Sequence, residues 1–165
     1  LWISGRSSAS ALIDPLYVQL EPDITLAAKH LFALSEQMLR RVGRVMPHAG
    51  MITEEGEFQL ATAIPKIPGL RLTPQLILLL TQEGLRQHAR KVPLRAVAVA
   101  QFVAVSLDGR PRTRAIQVLF EHKRGLTVAL YQPFRKKLFR SDYVMRPRVS
   151  LPAKPEVKPW DELAA

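Results

Sequence analysis

Glu121 and His122 stand side by side in the segment RAIQVLFEH, and an adjacent acid and base invite a general acid–base reading. Consecutive residues of a strand point to opposite faces, however, so this pair cannot act on one substrate without a bulge. A solvated strand end is the favoured reading, and the pair is kept as the one polar site candidate. The four histidines, His30, His48, His88 and His122, fall in four separate elements. None has the i, i+4 or H-x-E spacing that puts two ligands on one metal, so neither a metal nor a cofactor is expected. There is no cysteine and no G-x-S-x-G, P-loop or G-x-G-x-x-G string. Thiol nucleophiles, disulfides, hydrolase elbows and nucleotide loops are thereby excluded.

The remaining chemistry is cationic. Arg110, Arg112 and Arg114 alternate, so on a strand they project from one face about 7 Å apart. Arg135, Lys136, Lys137 and Arg140 follow a later apolar run and are interleaved with Tyr131, Phe134, Phe139 and Tyr143. Guanidinium and ammonium groups pair with phosphates, and aromatic rings stack on unpaired bases, which suits single-stranded RNA or DNA. An acidic protein partner would be drawn by the same charge. A plainer reading also competes, since basic strand ends blunt edge-to-edge aggregation and the aromatics could anchor the chain to its core.

The elements that must position these residues are legible from periodicity. Asp23 can cap a helix whose Ala27, Leu31, Leu34, Met38 and Val42 recur at spacings of three and four, with Gly43 ending it. Two short apolar runs, residues 49–53 and 58–63, flank Glu55-Gly56 and read as a hairpin. Thr73-Pro74 opens a second helix that runs to about Lys91. Val97, Val99, Val103 and Val105 then alternate with Ala96, Ala98, Ala100 and Ala104, giving a β-branched face and a small-residue face that would suit a helix or a second subunit. Asp108-Gly109 and Lys123-Arg124-Gly125 turn the chain into two further strands.

Hairpin-linked strands cannot be parallel neighbours. The sequence therefore predicts an α+β domain with a mainly antiparallel five-stranded sheet in the order helix, two strands, helix, three strands, an order that resembles the roadblock and profilin-like arrangement. The predicted organisation is an irregular N-terminal arm over residues 1–22, one domain over 23–134, and a basic, then proline-rich tail over 135–165. Apolar residues at 47% and charged residues at 23% fit a packed fold rather than a disordered chain.

Of the net charge of +10, residues 110–148 hold eleven Lys/Arg against two Asp/Glu, a net of +9. The longest uncharged stretch, Ala96 to Leu107, is too short for a spanning helix, and the first residues lack the pattern of a signal peptide. No membrane partner is expected, and the absence of cysteine is most natural in a cytoplasmic protein.

Two segments, PHAGMITEEGEFQL and LRAVAVAQFVAVSLDGRPRTRAIQVLFEHKRGLTVALYQPF, resemble an uncharacterised bacterial family of small α/β proteins. In that pattern a helix leads into a "P-F-A…D-G" hairpin, and an "R-A…D-G…A-I-x-V-x-x-E-H-x-x-G…P-Y" run closes the sheet. Pro47, Ala49, Gly56, Arg95, Ala96, Gly109, Ala115, Ile116, Val118, Glu121, His122, Gly125 and Pro133 occupy the matching places within residues 24–134. His48 stands where an aromatic is usual, Phe134 replaces Tyr, and the basic extension lies outside the pattern. The resemblance implies a fold and no substrate or cofactor, and within it Glu121 and His122 are the best site candidates. DGRPRTRAI also has some likeness to the second strand of flavin split-barrel proteins, a fold that needs more strands than the sequence offers.

Together these readings favour a non-enzymatic binding or adaptor module that engages an acidic protein partner. Its basic surface is assigned to Arg110, Arg112, Arg114, Arg135, Lys136, Lys137 and Arg140 with Tyr131 and Phe134. Nucleic-acid binding through the same arginines comes second, and an enzyme using Glu121 and His122 third. A homo-oligomer is left open.

Overall fold

The computed structural model describes residues 14–61, 68–69, 71–107, 109, 111–139 and 142–161. Helix α1 is Pro15–Val42, strands β1 and β2 are His48–Thr53 and Phe58–Ala61, and helix α2 is Pro74–Lys91. Strands β3, β4 and β5 are Leu94–Val105, Thr113–His122 and Thr127–Lys136, followed by β6, Tyr143–Met145, and β7, Val149–Pro152. The fold is α+β as expected.

Helix α1 begins eight residues before the expected cap. Asp14 accepts the N–H of Leu16 at 2.9 Å, and Pro15 takes the first helical position, where its missing N–H costs nothing. Tyr17 and Leu20 extend the buried stripe of Ile24, Ala27, Leu31, Phe32 and Leu39. The irregular arm expected over residues 1–22 is corrected from Pro15 onward, which is helical, and Pro22 does not break the helix. It lies on the exposed side of the helix, where the carbonyl it frees can be hydrated. Asp23, the expected cap, is a buried interior residue. At the other end Gly43 adopts φ 77° and returns its N–H to the Leu39 carbonyl at 2.9 Å.

All seven strands join one antiparallel sheet in the order β2-β1-β3-β4-β5-β6, with β7 also pairing β5. The expectation of five strands and an extended tail is corrected by β6 and β7. Phe134 pairs Met145 and Tyr131 pairs Val149, so the two short strands run end to end along the same edge of β5 with one extra residue between them. Gln132 fills that bulge. Its amide donates to the Arg146 carbonyl and its Oε1 accepts from Arg148 Nε at 2.8 Å. Pro147 hides this strand from a sequence reading, yet an edge strand tolerates proline because its outward N–H is not needed for pairing.

The first hairpin turns over three residues, not the two expected. Gly56 N–H donates to the Thr53 carbonyl at 2.9 Å and Thr53 N–H to the Glu57 carbonyl at 3.0 Å, with Gly56 at φ 91°. The small-residue face of β3 is used by a helix: Ala96, Ala98 and Ala100 pack with Ile116, Val118, Phe120, Val128 and Leu130 beneath α1. On the opposite face Ala49, Met51, Val97 and Val99 meet Leu85 and Ala89 of α2 and Val157 of the C-terminal segment. The sheet is thus covered on both sides, and its two edges place β2 at one end and β6 with β7 at the other. Among the described residues no helix is long and apolar enough to cross a membrane.

Candidate binding surface

Strand β4 brings Glu121 and His122 onto opposite faces, as the alternation requires, but neither is a solvated strand end. Glu121 is 2% exposed and His122 is 6% exposed. The carboxylate of Glu121 accepts three backbone N–H groups, from Glu156 at 3.2 Å, Val157 at 2.9 Å and Lys158 at 2.9 Å. It therefore ties the C-terminal segment down over the α2 side of the sheet. The partners lie so far along the chain that no local pattern announces them.

His122 is tied on the α1 side. Its Nδ1 accepts the Arg124 N–H at 3.1 Å, so the ring proton sits on Nε2, which faces Asp23 Oδ2 at 3.5 Å. Asp23 is held in turn by Arg95 Nη2 at 2.6 Å. Burial holds the imidazole below its ordinary pKa, with Asp23 opposing that shift and Arg95 and Arg124 adding to it. With both ring nitrogens committed, His122 has no free lone pair to serve as a general base. The Asp23–His122–Arg95 contacts fasten α1 to the end of β4.

The basic residues divide. Arg110 and Arg140 lie outside the described residues. Arg114 is exposed with its guanidinium over the ring of buried Phe134, 5.4 Å from the centroid. Lys136, paired with Tyr143, shares that α1 side, whereas Arg135 and Tyr131 belong to the alternate set facing the other way. Arg112 donates from Nε to the Ala104 carbonyl at 3.2 Å. Lys137 and Arg40 both pair with Asp142, and Arg40 also with Glu36, so their charge is offset locally. The expected single cationic face is accordingly smaller than the sequence suggests.

Three of the four aromatics are committed as well, whereas Phe139 is fully exposed. Tyr131 ends a ladder across three strands, in which Gln101 Nε2 donates to Gln117 Oε1 and Gln117 Nε2 to the Tyr131 hydroxyl, both at 3.1 Å. Phe134 packs edge-on against buried Tyr143, 5.8 Å between centroids.

Arg114 gains a companion that the sequence did not point to. It lines a cleft of about 420 Å³ together with Arg44, which follows the C-cap of α1. Leu39, Val45, Phe102, Phe134 and Leu78 supply an apolar lining, and Pro74 and Gln75 place the start of α2 at its wall. No family model, curated protein or solved structure matches the chain. The cleft must therefore be read from its own chemistry. Among the described residues neither Arg44 nor Arg114 pairs with a carboxylate. Phe102 is 43% exposed although it is a large apolar residue on a strand. Its exposure has a topological cause. Strand β1 stops pairing β3 at His48 opposite Ala100, so residues 101–105 of β3 have a neighbour only on the β4 side among the described residues.

Proposed function

We propose that this chain is a non-enzymatic binding module that takes an acidic protein segment in the cleft between Arg44 and Arg114. One observation carries the reading: among the described residues, two guanidinium groups without carboxylate partners line an apolar cleft beside a stretch of β3 that has a strand neighbour on one side only. An apolar side chain of the partner would rest on Phe102 and Leu78, and flanking carboxylates would meet the arginines. An extended segment could also pair with residues 101–105 of β3, since strand addition uses main-chain groups for affinity and pockets for specificity.

Single-stranded nucleic acid is the weaker reading because the fold takes up most of its expected stacking platform. Tyr131 is hydrogen-bonded and Phe134 and Tyr143 are buried, which leaves Phe139 alone of the four expected rings free for a base. An enzyme based on Glu121 and His122 is weaker still, both groups being used to hold the fold.

Panning a random peptide display library against the folded chain tests the proposal. Selected peptides should join Asp or Glu to a bulky apolar residue and should not be retained by the double variant R44E/R114E. Selection of peptides without acidic enrichment, or equal retention by that variant, would overturn it.

A further inference from the structure

The end of β5 and the turn after it carry a second feature, separate from the cleft because none of residues 135–139 lines it. Leu138 is 80% exposed and Phe139 is completely exposed, so two large apolar side chains stand together at the tip. Phe139 adopts φ 61°, a backbone region that bulky residues rarely occupy. A glycine or asparagine would turn the chain there with less strain, so neither packing nor turn chemistry accounts for a phenyl ring at this position. The tip is framed by charge. From Arg135 to Asp142 the sequence RKKLFRSD contains four basic residues against one acid, and Arg135 and Lys136 are exposed at its base.

We propose that this tip is an attachment point for an anionic lipid surface, with Leu138 and Phe139 entering the headgroup–acyl boundary and Arg135 and Lys136 resting on lipid phosphates. A projecting apex has no concavity of its own, so a protein partner would have to provide a matching pocket, whereas a bilayer accommodates two apolar side chains at any point. The surrounding cations supply the complementary sign for acidic headgroups, and apolar insertion with a basic collar gives the two weak signals that together make surface attachment stable. The lack of a spanning helix concerns crossing and leaves such attachment untouched. The ion pair of Asp142 with Arg40 links the base of the hairpin to α1 and that of Asp142 with Lys137 braces the hairpin itself, so an inserted tip would hold the whole domain at the surface. The inference goes beyond the peptide-binding reading and stands or falls without it.

Co-sedimentation of the full chain with vesicles tests it. Binding is expected to vesicles of phosphatidylcholine mixed with phosphatidylglycerol, to be weak for phosphatidylcholine alone, and to decline with added salt. L138S/F139S should lose at least about tenfold in partitioning, since two apolar side chains no longer leave water. Because the tip is exposed, that variant should keep the wild-type circular dichroism. As an independent readout, F139W should add a blue-shifted emission component when anionic vesicles are mixed in. No binding to anionic vesicles, binding unchanged in L138S/F139S, or a tryptophan at 139 that remains in water would each overturn the proposal. Unaltered capture of acidic peptides by L138S/F139S, with vesicle binding lost, would support it and separate it from the cleft.

Discussion

The guanidinium of Arg114 lies over the ring of Phe134, 5.4 Å from its centroid, and this contact presents a cation on an apolar floor. The ring is buried and fixed by Tyr143, while the arginine remains exposed. Replacing Arg114 by glutamate should therefore weaken an acidic peptide by about tenfold, roughly 1.4 kcal/mol, with most of the remaining loss appearing when Arg44 is also reversed. Folding stability should change by no more than about 1 kcal/mol, as is usual for exposed positions that lose a single cation–π contact. Isothermal titration and a urea melt of each variant measure the two quantities.

Glu121 holds the C-terminal segment through charge-assisted bonds to three consecutive N–H groups. Glu121→Gln would face at least one of those donors with an NH₂ group and remove the charge that strengthens the others. The expected cost is about 2–4 kcal/mol in urea denaturation. Hydrogen exchange should localise the effect, with amides of residues 156–158 losing protection before those of β3. Wild-type stability in this variant would mean that the carboxylate does not anchor the segment.

His122 gives the fold a pH dependence. Because burial holds its folded pKa below 6.5, the unfolded chain takes up this proton first. The group's stabilising contribution is complete above 6.5 and is lost progressively as pH falls from that value toward the lowered folded pKa. Denaturation midpoints measured on either side of 6.5 should fall toward acid in the wild type, and His122→Asn should show a shallower decline. Identical pH profiles for the two chains would contradict the assignment.

These tests touch residues that the sequence showed without showing their roles. The alternation of Ala96, Ala98 and Ala100 with Val97 and Val99 was enough to place β3, because a two-sided strand writes both faces into consecutive letters. Thr73-Pro74 likewise marked α2 correctly. The start of α1 was hidden because the opening residues show no sustained periodicity, and Pro22 is tolerated within it at a solvent-facing position. Pro147 hid the joined strands β6 and β7.

Glu121 and His122 read as polar and therefore exposed, whereas their partners Asp23 and residues 156–158 are remote in sequence and only the fold supplies them. The cleft was equally invisible. Arg44 sits after a helix cap, and nothing near it in the chain hints that it shares a cleft with Arg114.

The most direct measurement is an amide NMR titration of the folded chain with an extended peptide alternating glutamate and valine. Binding in the cleft should shift the amides of Arg44, Phe102 and Arg114 and slow the exchange of residues 101–105, with little change near Glu121. Shifts that avoid those residues, or no shifts at low salt, would contradict the account.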